Sequence, residues 1–213
     1  MKVYLDNAAT TPLDKEVFEA MLPYMETHFG NPSSIHAFGR ETRAAIERSR
    51  RSIAQCLNVS PGEIFFTSGG TEANNMALRC SVESLGIKTV ISSKIEHHSV
   101  IHILEMLENK GLVKICWVRL KKNGAIDLQH LEQLLKKNKG SLVSLMHTNN
   151  EIGNLLPIKK VADLCAEYNA VFHSDTVQTM GHYTLDFQEV KVHIASCSAH
   201  KLHGPKSAGF LYL

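Results

Sequence analysis

Apolar positions along this chain follow two rhythms. Short runs rich in apolar and β-branched residues, at 63–67, 88–92, 113–120, 141–147, 170–174, 192–197 and 208–213, have the length of strands. Between most of them lie stretches with helical spacing, at 71–85, 99–109, 127–137 and 157–168. Two further helices are predicted ahead of the first strand. One covers 14–29, closed by Gly30 and bent at Pro23; the other covers 34–57 and is laced with Arg and Glu. Strand and helix alternate with no linker, repeat or low-complexity tract between them. That order predicts an α/β fold, a mostly parallel sheet with helices on both faces, in one domain of generous size.

Sheets of this kind bind ligands at the carboxyl ends of their strands. Five polar clusters follow five of the predicted strands: Ser68-Gly69-Gly70-Thr71, Glu96-His97-His98, His147-Thr148-Asn149-Asn150, Asp175-Thr176-Val177-Gln178, and Ser198 to His203. All five belong on one rim. The first joins a strand to a helix through glycines, so free amides and the positive helix end are suited to a phosphate, although Ser, Gly and Thr also serve as ordinary caps. No nucleotide-binding GxxxxGK[ST] or GxGxxG accompanies it. Lys201 follows a buried run and sits between histidines and a Gly-Pro turn, where partial desolvation leaves an amine neutral enough to attack a carbonyl. An amine with a nearby carboxylate, Asp175, suits an aldehyde-bearing pyridine phosphate: the amine forms a Schiff base and the anion keeps the ring nitrogen protonated.

Composition narrows the field. Lys and Arg total 23 against 21 Asp and Glu, a net charge of +2 with the signs interspersed, which argues against nucleic acid or a membrane surface as partner. No signal-like or bilayer-length apolar segment is present, so a cytoplasmic location is expected. The five cysteines, Cys56, Cys80, Cys116, Cys165 and Cys197, are odd in number, scattered and never in a CxxC pair. They read as small core residues rather than as a disulfide framework or a thiolate metal site. A competing metal reading takes His98 and His102, four apart on a helix, with His147, His173 and Asp175. In a chain with 12 histidines such spacing arises by chance, and no metal is expected.

Seven blocks in one order then carry a resemblance: Tyr4-Leu-Asp-Asn-Ala-Ala-Thr-Thr-Pro12, Gly30-Asn-Pro-Ser-Ser34, Phe66-Thr-Ser-Gly-Gly-Thr-Glu72, Glu96-His97, Met146-His-Thr-Asn-Asn-Glu-Ile-Gly153, His173-Ser-Asp-Thr-Val-Gln178 and Ser198-Ala-His-Lys-Leu-His-Gly-Pro-Lys206. The chain resembles the N-terminal part of a cysteine desulfurase of the NifS/IscS kind, among the class V, pyridoxal-phosphate-dependent aminotransferases. The resemblance implies the large domain of fold type I, with residues 1–30 as arm and first helix and 31–213 as the cofactor-binding unit. It implies that Lys201 holds pyridoxal 5'-phosphate as a Schiff base and moves the Cα proton of the substrate, L-cysteine. Asp175 would pair with the ring nitrogen and Gln178 with the phenolate oxygen. His97, which alone reads as a capping or core-edge histidine, would stack on one ring face and serve in proton transfer, with Val177 on the other face. Asn150 would lie beside the ring, and Gly70, Thr71, Ser198 and His200 would hold the phosphate. Thr176 stands where many relatives have a smaller residue.

The family continues past this lysine into a small C-terminal domain that carries the nucleophilic cysteine and the arginine for the substrate carboxylate. This chain stops at Leu213, in what resembles the closing strand of the large domain, and none of its cysteines matches that nucleophile. The chain alone is therefore expected to be inactive in desulfuration. Its other readings are a non-catalytic or partial cofactor-binding domain, or a selenocysteine lyase-like enzyme. A homodimer and a sulfur-acceptor or scaffold protein are the partners that the resemblance implies, with iron-sulfur cluster assembly as the pathway.

Overall fold

A computed structural model describes all 213 residues. The first helix, α1 (Lys15–Glu26), starts where the Asp14 carboxylate accepts the amides of Glu16 at 2.8 Å and Val17 at 3.4 Å. It passes through Pro23 and ends before the expected stop at Gly30, because the amides of Thr27 and His28 both turn back onto the Pro23 carbonyl. Gly30 is needed for another reason: a Cβ there would lie 2.4 Å from the Phe38 carbonyl oxygen. The long helix α2 (Ala37–Leu57) closes on Asn58 in the left-handed region, φ 56°.

Seven strands follow, interleaved with four more helices: β1 (Ile64–Thr67), α3 (Gly70–Leu85), β2 (Thr89–Ser92), α4 (His98–Asn109), β3 (Lys114–Trp117), α5 (Leu128–Lys137), β4 (Leu142–Ser144), α6 (Ile158–Glu167), β5 (Val171–Asp175), β6 (Ile194–Ser198) and β7 (Gly209–Tyr212). They form one sheet in the order β1-β7-β6-β5-β4-β2-β3. Only β7 runs against its neighbours, so β1, β2, β4, β5 and β6 all end on the same edge. Two strands are shorter than expected. After Trp117 the chain doubles back through Gly124, φ 78°, with Lys121 donating to Ala125 at 2.8 Å. Past Ser144 the chain still tracks β5, through Leu145 to His173 at 3.2 Å and His147 to Asp175 at 2.9 Å.

Strand alternation sorts the core onto two faces. Val90 and Leu142 pack with Leu78, Leu104 and Leu107 of α3 and α4, while Ile91, Val143 and Phe172 pack with Leu57, Leu131, Leu135 and Val161 of α2, α5 and α6. The mostly parallel sheet with helices on both faces is as the rhythms indicated. Two cysteines are not: Cys56 and Cys80 are exposed on their helices, and only Cys165 and Cys197 are buried, with all five thiols free. The apolar spacing around Cys56 and Cys80 does not make either a core position, because a helix turns only one stripe inward.

Of the histidines of the metal reading, His98 and His102 stay side by side on α4, ring centroids 5.2 Å apart, while His147 and His173 have other partners. His173 is fully buried between the Ser144 hydroxyl at 2.9 Å and the Ser196 hydroxyl at 3.0 Å, a cross-strand hydrogen-bond pair, and burial pushes its pKa down to about 3. His147 lies 2.9 Å from the Thr179 hydroxyl, while His98 and His102 face outward on α4. No helix is long and apolar enough to cross a membrane.

Candidate active site

One cavity of about 590 Å³ opens where the parallel strands end. Gly70 and Thr71 reach it from the start of α3, His97 from the start of α4, Asn150 from the loop after β4, Asp175 from the end of β5, Val177 and Gln178 from the loop beyond, and Ser198, His200 and Lys201 from the end of β6. The ten residues that the resemblance marks for the cofactor all line it, whereas Glu96, His98, Asn149 and Thr176 of the same polar clusters do not. The shared direction of the strands is the reason, since each βα turn of a parallel sheet returns to the same edge.

Asp175 is its electrostatic centre. The carboxylate is 5 % exposed, and burial pushes its pKa up, while the Val177 amide on Oδ1 at 3.0 Å and the Asn74 side-chain amide on Oδ2 at 2.7 Å pull it down. His97 and Lys201 add to that downward pull. Lys201 is shifted the opposite way: desolvation lowers its pKa against the pull of Asp175 and Asp6, which raises the fraction present as a neutral amine. Its Nζ donates to the carbonyls of Ala8 and of Ala9, the latter at 2.8 Å. Gln178 donates to the Ala8 carbonyl at 2.9 Å. His97 caps α4 with Nδ1, which accepts the Ser99 amide at 3.1 Å, so the capping role and the place in the cavity coexist.

A second hollow of about 430 Å³ adjoins the first and is walled by Ser68, Gly69, Gly70, Thr71, Ser198 and His200. Small residues are obligatory here. Gly69 has φ 145°, and a Cβ on Gly70 would lie 2.7 Å from Val177 Cγ2. On the other side a Cβ on Gly209 would lie 2.7 Å from Gly69 Cα. The first amides of α3 have no partner within the helix, so this corner offers main-chain donors and a positive helix end to an anion. Glu72 takes the Ser68 amide at 2.5 Å, which lowers its pKa, and Thr10, Lys206 and Ser207 share the lining of the hollow.

Three contributions were not read from the sequence. Asp6, Ala8 and Ala9 of the N-terminal arm form part of the cavity wall. The arm is laced to the β6–β7 loop through Thr11 to His200 at 2.9 Å, Asp14 to His203 at 2.9 Å, and His200 Nδ1 with Thr10 Oγ1 at 3.0 Å. Asn74 and Ser99 complete the inner wall, and both are buried. A polar residue within the apolar stripe Ala73, Ala77, Leu78 of α3 was the available signal for Asn74. Its Nδ2 also donates to Ser99 Oγ at 2.9 Å, whereas its buried Oδ1 has no partner. A hydrogen bond to a charged group contributes about 1.5–3 kcal/mol and an orphaned buried acceptor costs about 1–3 kcal/mol, so stability alone does not account for this amide.

The family profile described as aminotransferase class-V matches residues 3–213. The chain belongs to that family. Among its class V relatives are the cysteine desulfurase IscS of Dictyoglomus turgidum, 48% identical over 100% of this chain and 54% of that protein, and the putative cysteine desulfurase IscS 1 of Bacillus subtilis, 42% identical over 99% of this chain and 56% of that protein. Two solved structures superimpose on the whole chain: one titled "NIFS-like protein", at TM-score 0.96 and 38% identity with 59% of that chain covered, and one titled "SspA in complex with cysteine", at 0.93 and 33% with 61% covered. The chain thus spans about half the length of the curated relatives it matches. Class V aminotransferases and cysteine desulfurases are pyridoxal-phosphate-dependent enzymes. The class V chain described here has what that cofactor requires: a carboxylate for a ring nitrogen, an amine with lowered pKa, and a cradle at α3 that a Cβ would fill.

Two stability outcomes follow from this packing. Gly70→Ala lowers the melting temperature by forcing Cβ onto Val177, and the double variant Gly70→Ala/Val177→Ala recovers most of the loss in thermal denaturation. Glu96 is 6 % exposed, takes the Ser93 hydroxyl at 2.6 Å and the Met146 amide at 2.8 Å, and has its pKa pushed up to about 8, first by burial and then by Asp175. The folded chain therefore holds a proton that the unfolded chain releases above about 4.5, and the Glu96 contribution to stability falls as pH rises from about 4.5 to about 8. Glu96→Gln, which cannot ionise, raises the melting temperature more at pH ~9 than at pH ~5.

Proposed function

We propose that this chain carries the cofactor-binding part of a pyridoxal-phosphate-dependent cysteine desulfurase, which converts L-cysteine to L-alanine and passes the sulfur to an enzyme thiol. The observation that carries this reading is the convergence of Lys201, Asp175 and the open start of α3 on one cavity. The names of the relatives and the cysteine in one title support it.

In this reading Lys201 would hold the cofactor, and its amine would take and return the Cα proton, a role suited to an amine whose pKa desolvation has lowered. Asp175 would pair with the ring nitrogen. Gly70, Thr71, Ser198 and His200 would hold the phosphate, Gln178 the ring oxygen, and Asn150 would help to hold the ring. His97 and Val177 would hold the ring between them, and His97 would assist proton transfer. When bound, the cofactor supplies an electron sink for the pair left at Cα. The Cβ–S bond of cysteine then breaks, the sulfur joins a thiol as a persulfide, and Cβ takes a proton to give alanine.

None of the five cysteines lines the cavity, and burial pushes the thiols of Cys165 and Cys197 up to about 12. We therefore assign the sulfur-accepting thiol to none of them. A homodimer, a sulfur-acceptor or scaffold partner in iron-sulfur cluster assembly, a cytoplasmic location, and a division into residues 1–30 and 31–213 belong to the same proposal.

The test is covalent. Chain soaked with pyridoxal 5'-phosphate and reduced with borohydride gains one pyridoxyl phosphate on the peptide containing Lys201, and Lys201→Ala gains none. Absence of that adduct, or its presence at another lysine, sinks the cofactor assignment. The same loaded chain releases no detectable sulfide from L-cysteine, and sustained release would show that one of its own five cysteines accepts the sulfur.

A further inference from the structure

Asn74 lies one turn into α3, beyond Gly70, and Ser99 follows His97 by two residues at the start of α4. The two helices bring these side chains together between Asp175 and His97. Asn74 Nδ2 donates to Asp175 Oδ2 at 2.7 Å and to Ser99 Oγ at 2.9 Å, and Ser99 Oγ lies 2.8 Å from His97 Nδ1. Each atom's role follows from its neighbour. An ionised carboxylate only accepts, so the Asn74 atom that faces it is the nitrogen, and both amide hydrogens are then committed. Ser99 Oγ accepts one of them and has a single hydrogen left, for which His97 Nδ1 is the acceptor within reach. Nδ1 accepts the Ser99 amide as well, at 3.1 Å. In the neutral ring the proton therefore sits on Nε2.

We propose that Asn74 and Ser99 are positioning residues, a hydrogen-bond relay through which the Asp175 carboxylate sets the tautomer and ring orientation of His97. The orphaned Asn74 Oδ1 supports this. The flipped amide would turn that oxygen onto the Asp175 carboxylate, so the observed orientation is imposed by the two acceptors at the expense of the amide's own carbonyl. The relay leaves Nε2–H as the polar atom of His97 that the protein does not hold. It also couples the residue assigned to the ring nitrogen with the residue assigned to the ring face.

The relay consists of the chain's own side chains, whereas its effect on turnover rests on the function proposed above; a measurement on the cofactor-free chain separates the two. Proton–nitrogen correlation spectra of histidine-labelled chain are recorded at pH ~9, above the ordinary imidazole range, with His97→Gln identifying the His97 signals. The wild-type chain is expected to show the Nε2–H form. Ser99→Ala removes the hydroxyl that donates to Nδ1, and Asn74→Asp turns that hydroxyl toward the new carboxylate. Both move the Nδ1 resonance in the same direction, toward that of a nitrogen without a hydrogen bond. The double variant moves it no further than Ser99→Ala alone, and Ser99→Thr leaves it at the wild-type position. If Asn74→Asp does not fold by circular dichroism, Asn74→Ala replaces it, with a smaller displacement in the same direction. An Nδ1–H form in the wild type, displacements that add in the double variant, a Ser99→Thr signal displaced as in Ser99→Ala, or an Asn74 variant with no displacement overturns the relay.

Discussion

A carboxylate at the buried end of β5 sets the terms for everything around it. Taking an ionised group out of water costs several kcal/mol in practice unless donors and positive charge replace the lost hydration. Asp175 receives that replacement from three directions: the main chain of its own loop through Val177, the first turns of α3 through Asn74, and the far side of the cavity through Lys201. The two helix starts must therefore stand close to the strand end, and polar side chains must interrupt otherwise apolar helix stripes.

The same constraint bears on Lys201. Its amine is desolvated, which favours the neutral form, yet it faces the negative charges of Asp175 and Asp6, which favour the ammonium. Desolvation is the larger of the two effects, so the pKa of the amine is lowered and its neutral fraction is raised. The carbonyls of Ala8 and Ala9 meet the amine from the arm, so a segment far away in sequence closes the site. Steric limits complete the picture at the other end of the cavity. There Gly69, Gly70 and Gly209 let α3, β7 and Val177 approach to distances that no Cβ would permit.

How much of this was legible in the residues differs from element to element. All seven strands and six helices of the sheet and its layers lie within the stretches marked by apolar spacing, to within a residue or two at most ends. The exceptions have local causes. α1 stops at Thr27 because two amides share the Pro23 carbonyl, and β3 stops at Trp117 because a turn through Gly124 reverses the chain. The ten candidate residues line one cavity because each follows a parallel strand. Asp6, Ala8, Ala9, Asn74 and Ser99 were not legible as wall residues, since no periodicity marks an arm that folds back or a polar residue whose partner is on another helix.

The sequence by itself determined the strand-helix alternation, the side of the sheet on which chemistry collects, and the chemical types gathered there. These depend on periods of two and 3.6 residues and on turn chemistry, which act over a few neighbours. Only the tertiary structure decided that Asn74 meets Asp175 across 101 residues and Ser99 across 25, that the arm reaches Lys201 across 192, and that Cys56 and Cys80 stay at the surface. Such contacts are set by how helices lie on a sheet and by the donors a buried charge must find, and neither leaves a periodic trace in the chain.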